Sequence, residues 1–302
     1  LNAIIESVVN ASKYENHAAE QLRLGVHILP KFPKDSTDRN RTSPFAFTGN
    51  KFEFRSLGSN QSISGPNVVL NTIIADALMH MADELEQAED FTTAVDDLIR
   101  RTLRKHMRII FNGNGYDQSW REEAARRGLL ELPTTVDALP YYVHQKNLDL
   151  FERQKVFTAE EVYSRYEVKL EKYVKVIDIE ALSMVDMARQ LILPAAIRYS
   201  KDISAEAQNK QKLGFDFALK MERSLLNTLD REMNKLYENT FALEKAVADT
   251  RSISDMLEKA LFTRDRILPV MAELRAAGDT LESMIGKEYW PMPTYQELLM
   301  SV

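Results

Sequence analysis

The sequence predicts an α+β chain, mainly α by residue count, with a few antiparallel strands and helices first and a bundle of long helices after about residue 157. Three observations carry this expectation. Phenylalanines alternate with other residues in "FAFTGNKFEFR", residues 45–55, which is the period-two pattern of a hairpin around "TGN". From "TAEEVYSRYE" at residue 158 as far as residue 284, apolar residues recur every three or four positions, the period of an amphipathic helix. Loop signals such as "KFPKDSTDRNRTSP", with two prolines and many small polar residues, break up the first part instead.

Taken in order, "LNAIIESVVN" has a helical pattern and "ASKYENHAAE" is a polar loop. "LRLGVHILP" alternates and ends at Pro30, as a strand does, and "NKFEFRSLG" is a second strand. Pro66 then starts a long helix with Val69, Ile73, Leu78, Met81 and Leu85 along its buried side. "TTAVDDLIRRTLRKHMRIIF" is amphipathic and is stopped by "NGNG" at 112–115. "SWREEAARRGLLEL" is a short helix with Gly128 as its C-cap. "TTVDALPYYVHQKNLDLFERQKVF" is looser and interrupted by proline. Three long helices follow, over 158–200, 204–249 and 251–284. Thr158 and Glu161 form a capping box at the first, while Pro194 and Pro269 kink the first and third. "WPMPTYQELLMSV" is an aromatic tail expected to lie across other elements. These signals divide the chain into 1–157 and 158–302, without a repeat of 20–50 residues.

Composition excludes several functions. The 302 residues are 44% hydrophobic and 28% charged, enough for a sizeable core. A net charge of −6 and a pI near 5.6 provide no basic field for nucleic acid. No apolar run is long enough to span a membrane. The absence of cysteine removes disulfides, thiolate chemistry and Cys-ligated zinc, and fits a reducing cytosol. The chain opens at Leu1 inside a helical pattern, with neither an initiator methionine nor a signal peptide, and reads as the interior of a longer chain.

The stretch that carries chemistry is residues 39–59. Residues two apart on a strand share a face at roughly 6.6 Å, so Lys51, Glu53 and Arg55 line one side of "KFEFR" and Phe52 and Phe54 the other. The phenylalanines are expected to bury in a core. The charged face then has two readings: a wet surface strand with cross-neutralising charges, or a site. Lys31, Lys34, Arg39 and Arg41 add local positive charge, outnumbering Asp35, Asp38 and Glu53. Such a concentration around one carboxylate suits a polyphosphate with a divalent cation, because arginine and lysine neutralise phosphate and a glutamate is a hard oxygen ligand. There is no Walker loop and no kinase glycine loop.

"DRNRTSPFAFTGNKFEFRSLGS" followed by "GPNVVLNTIIADAL" resembles the C-terminal half of the glutamine synthetase catalytic domain, and more narrowly the type III glutamine synthetases. The likeness runs on through "NGNGY", "RRGLLELPTTVDALP" and "KVFTAEEVYSRYE" to the closing "WPMPTYQELLMSV". It implies that 1–157 is the C-terminal part of that catalytic domain and 158–302 the type III helical bundle. It implies an ATP-dependent ligase that phosphorylates the side-chain carboxylate of glutamate and lets ammonia displace the phosphate. By the same resemblance Glu53 ligates magnesium or manganese, Arg41 contacts the transferring phosphoryl group, Lys51 faces the nucleotide phosphates, and Arg55 lies near the substrate carboxylate. A homo-oligomer of two stacked rings is implied as well. Ala46 stands where other members carry a second arginine, so no phosphate role falls to that position. The family's other metal ligands and its flap glutamate precede Leu1, so the 302 residues alone are expected to be inactive. Whether ammonia or another amine is the acceptor stays open at this point.

Other residues have plain structural readings. His27 lies in an apolar strand, and His80 and His106 lack the spacing of a metal site. "NGNGY" follows a helix and lacks a GKS ending, so it reads as a turn rather than a phosphate loop. Arg101, Lys105 and Arg108 form a basic helical face, either solvated or at a subunit contact, with nucleic acid as the alternative. A different class of function, a non-catalytic helical scaffold, is disfavoured by the charges at positions 41, 51, 53 and 55.

Overall fold

The computed structural model describes residues 2–13, 21–22, 32–33, 45–47, 51–55, 58, 61–111, 113–214, 216, 218–293 and 295–300. In chain order these form α1 (Asn2–Asn10), β1 (Gln21–Leu22), β2 (Phe32–Pro33), β3 (Phe45–Phe47), β4 (Phe52–Phe54), α2 (Ser64–Leu85) and α3 (Phe91–His106). Next come α4 (Gln118–Arg126), α5 (Thr135–Tyr142), α6 (Gln145–Arg153), α7 (Ala159–Met187), α8 (Leu193–Lys212) and α9 (Lys220–Asp249). The last are α10 (Met256–Phe262), α11 (Leu268–Met284) and α12 (Tyr295–Met300). The expected α+β, mainly α architecture is therefore present, and the strands pair antiparallel, β1 with β2 and β3 with β4. Among the described residues no helix is long and apolar enough to cross a membrane. The chain divides into two compact units, Leu1–Pro133 with Asp149–Phe157, and Thr134–Leu148 with Thr158–Val302.

In the first unit, polar contacts decide how the helices lie. The last carbonyls of a helix lack partners inside it and carry its negative dipole end. Arg104 donates to the Val9 carbonyl of α1 at 2.8 Å and Arg100 donates to that of Val8 at 3.3 Å. Arg101 Nη2 donates to both carboxylate oxygens of Glu84, at 2.6 and 2.5 Å, which joins α3 to α2. Of the basic face read at Arg101, Lys105 and Arg108, Arg101 thus pairs inside its own unit, while Lys105 and Arg108 are exposed. Asp76 of α2 accepts from Arg153 at 2.8 and 3.0 Å and from Gln154 at 2.9 Å, which anchors residues 149–157. The burial of α2 differs from the side expected. Thr72 is buried, whereas Ile73 and Leu78 are exposed and Val69, Met81 and Leu85 are half-buried. Gly128 adopts φ +69° just beyond α4, with Leu129 N–H donating to the Ala124 carbonyl at 2.9 Å, so the glycine cap forms as expected.

The second unit is built on α7, α8, α9 and α11. Val162, Tyr166, Leu170, Val174, Ile177, Ala181 and Val185 are buried along α7 at spacings of four residues, with a single step of three from Val174 to Ile177. Leu229, Leu236 and Leu243 repeat every seven residues on α9 and meet Leu274, Ala277 and Leu281 of α11. Small buried residues, including Ala181, Ala188, Ala196 and Gly278, let the helices approach closely. Thr158 accepts from the Glu161 N–H at 3.3 Å and the Glu161 carboxylate accepts from the Thr158 N–H at 2.9 Å, the expected capping box. Ile285, just beyond α11, and Trp290 of the tail are buried on this core, and the Tyr289 hydroxyl donates to Asp202 at 2.7 Å, whereas Leu298, Leu299 and Met300 of the tail are exposed. The segment around α5 packs here too: Val136 and Leu139 join Tyr166, Leu170 and Val174, while Arg264 donates to Asp137 at 2.7 Å.

Two boundaries differ from the sequence reading. The first long helix continues past residue 200 to Lys212, and α9 starts at Lys220 rather than near 204. Nothing at 201–203 removes a backbone donor or needs a positive φ. The chain turns instead at Gly214, φ +73°, and Leu219, φ +47°. Pro194 and Pro269 each follow a five-residue π-helical turn, Ala188–Ile192 and Thr263–Ile267. A helical proline lacks the N–H that would bond four residues back and crowds that carbonyl, and residues 190 and 265 lie in the widened turns.

Asp178 of α7 has a buried Oδ1 with no hydrogen-bond partner. Burial pushes its carboxyl above the ordinary 3.8, opposed by Lys259 and Arg251. A carboxyl raised by folding destabilises the native state above its raised pKa and has no effect below the unfolded value. Asp178→Asn is therefore expected to raise the melting temperature at pH 7 and to leave it unchanged at about pH 3. A lower melting temperature at pH 7 would mean that the ionised side chain is held favourably.

Candidate functional site

The β3–β4 ribbon pairs Phe45 with Phe54, Ala46 with Glu53, and Phe47 with Phe52. Paired residues share a face, so alternation puts Lys51, Glu53 and Arg55 on the side of Ala46. There the three charges meet. Arg55 donates to Glu53 Oε2 at 2.9 Å, and the Lys51 ammonium lies 3.5 Å from Oε1. Side-chain exposure falls from 66% at Lys51 through 36% at Glu53 to 21% at Arg55. The hydrogen bond from Arg55 holds the Glu53 carboxyl below its ordinary range; burial opposes this, and Lys51 adds to the lowering. Ala46 is buried opposite the carboxylate.

The other face departs from expectation. Phe45, Phe52 and Phe54 are 50%, 63% and 49% exposed rather than in a core. Phe45 stacks on Phe52 at 5.3 Å and meets Phe54 edge-on at 6.3 Å. A two-stranded ribbon is one layer, so its rings stack on one another along the strand face. Arg41, Arg39, Lys31, Lys34 and His27 lie outside the described residues.

A second cluster went unread in the sequence. In the first unit, a cleft of about 360 Å³ is lined by Ile5, Glu6, Met107, Arg108, Ile110 and Arg127. Arg127 donates to the carbonyls of Ile110 at 2.9 Å and Arg108 at 3.2 Å, and lies 5.4 Å over the Trp120 ring. Trp120 stacks on Phe111 at 4.0 Å. Arg126 and Arg127 hydrogen-bond to Glu123 and lower its pKa to about 2. "REEAARR" carried the signal: an acid with arginines three and four residues on shares one helical face with them. His80 lies 3.7 Å from Asp76, which is already engaged by Arg153, so its place is structural. Among the described residues, no group of three or more His, Cys, Asp or Glu could hold a metal.

Residues 94–211 match the glutamine synthetase C-terminal domain. The chain is 37% identical, over 99% of its own length, to the type-3 glutamine synthetase of Dictyostelium discoideum, of which the match covers 42%. The chain belongs to the glutamine synthetase family. A glutamine synthetase of Butyrivibrio fibrisolvens is 40% identical over 90% of this chain and 39% of that protein. One from Bacteroides fragilis (strain YCH46) is 30% identical over the full chain and 42% of that protein. The chain thus spans about two fifths of the length of the curated glutamine synthetases it matches.

Proposed function

We propose that the chain forms part of a glutamate–ammonia ligase of the cytosol, a homo-oligomer that makes glutamine from glutamate, ammonia and ATP through a γ-glutamyl phosphate. The observation that carries this is the meeting of Lys51, Glu53 and Arg55 on one ribbon face, within a chain of the glutamine synthetase family. Arg55, the least exposed of the three, is the group to neutralise the substrate carboxylate and the acyl phosphate formed from it. Lys51 and Arg41 serve the nucleotide phosphates and the transferring group. Phosphoryl transfer draws its rate from such positioning and charge stabilisation.

Magnesium or manganese belongs to the same proposal through Glu53. The residues described here do not fit that ion as arranged. Both oxygens of Glu53 are engaged by cations, and magnesium requires near-octahedral oxygen ligation that one carboxylate cannot supply. The 302 residues alone are expected to lack turnover.

The test is phosphate release by the full-length protein in the presence of ATP, glutamate and ammonium. Release that needs all three supports the ligase. Release that follows another amine in place of ammonium points to a related ligase, and no release favours a helical scaffold.

A further inference from the structure

We propose that the cleft between α1, the end of α3 and the end of α4 binds a small monocarboxylate with an aliphatic body, held by Arg108 and Arg127. This goes beyond the ligase reading and does not depend on it.

Arg127 is fixed in place before any ligand arrives. Its Nη1 donates to the carbonyls of Ile110 at 2.9 Å and Arg108 at 3.2 Å, its Nε donates to Glu123, and its guanidinium lies 5.4 Å over the Trp120 ring. Nη2 takes part in none of these bonds and stays available. The same bonds hold the short 3-10 turn Met107–Ile109 from which Arg108 extends. A Cβ added at Gly128 would lie 4.0 Å from Arg108 Nη1, so the Arg108 guanidinium stands beside the residue that follows Arg127. Both arginines line the one cleft.

The charge there is not settled within the protein. Arg100, Arg101 and Arg104 of α3 are engaged by Val8, Glu84 and Val9, whereas among the described residues the Arg108 side chain has no hydrogen-bond or ion-pair partner. Glu123 is already shared by Arg126 and Arg127. Glu6 of α1, the acid that lines the cleft, pairs with neither arginine. Ile5, Met107 and Ile110 form the rest of the wall and are half-buried.

Two guanidinium groups suit one carboxylate, because each of its oxygens can accept from a different cation. Three aliphatic side chains beside them suit a hydrocarbon body rather than a bare inorganic ion. A volume of about 360 Å³ is at the small end of ligand clefts, which limits that body to a few carbons. Glu6 selects against a second negative charge, since like charges set close together disfavour the wrong ligand. Together these features specify a monocarboxylate.

The experiment is calorimetric titration of the full-length protein with 4-methylpentanoate and with acetate at low ionic strength. The branched acid is expected to bind at least about tenfold more tightly than acetate, because its added carbons cover the apolar wall. Arg108→Gln should weaken its binding by about tenfold, the loss of one charge-assisted contact. The melting temperature should not move, as this side chain is exposed and bonded to nothing in the fold. Glu6→Gln should tighten binding by about twofold to fivefold. Arg55→Ala, on the ribbon, should leave it unchanged. No binding by the wild type, acetate bound as well as the branched acid, or an unchanged affinity in Arg108→Gln overturns the assignment. So does weaker binding in Glu6→Gln. Binding lost in Arg55→Ala and kept in Arg108→Gln overturns it too, by placing the carboxylate on the ribbon.

Discussion

Leu236→Ala is expected to destabilise the helical unit by about 2–5 kcal/mol, the cost of lost apolar burial plus the cavity left behind. Leu236 is 1% exposed and sits mid-way along α9, within the core it shares with Leu229, Leu243, Ile267 and Leu281. Its neighbours are held on three sides by long helices, so the site has little freedom to collapse. The two compact units need not unfold together, and a single melting curve can mix them. Amide exchange within α9 in the native state isolates the unit concerned. Ile179→Ala, on the outward side of α7 and 65% exposed, is the matched control and should change stability by less than about 0.5 kcal/mol. A loss below about 1 kcal/mol at Leu236 would mean that α9 is not seated in the core as described.

Arg55→Ala is expected to lower kcat of the proposed full-length ligase by about a hundredfold or more, the effect of removing one preorganised charge from a transition state. Arg55 is the less exposed of the two cations on Glu53 and makes the shorter contact, 2.9 Å against 3.5 Å for Lys51. Lys51→Ala should therefore have the smaller effect, concentrated in KM for ATP. Arg55→Lys keeps the charge and loses the planar fork, so it should restore activity only in part. A kcat for Arg55→Ala within threefold of wild type, with an unchanged melting temperature, would remove Arg55 from the site.

Much of this was legible before any coordinates. The hairpin, the capping box at Thr158 and the glycine cap at 128 each depend on residues within a few positions of one another, and each formed as the local chemistry required. The prolines at 194 and 269 marked where helical bonding is disturbed, though their effect is a widened turn. The meeting of Lys51, Glu53 and Arg55 followed from alternation on one strand.

What escaped depended on partners distant in sequence. Nothing in "NVVLNTIIADAL" reveals that Asp76 will hold Arg153 and Gln154, or that Ile73 and Leu78 will be exposed. The cleft at Arg108 and Arg127 needs α1, the end of α3 and the end of α4 brought together. Likewise the phenylalanines of the ribbon read as core from their spacing, because periodicity tells which residues share a face and not what covers it.

Periodicity, caps and alternation thus decided which segments became helix or strand, and which charges could stand side by side. Folding decided the direction in which each face points and whether a carboxylate ends on a cation or in water. The reason is one of range. Backbone preference and neighbouring side chains act over a turn or a few strand residues, whereas burial and ion pairing are settled by whichever distant side chain arrives.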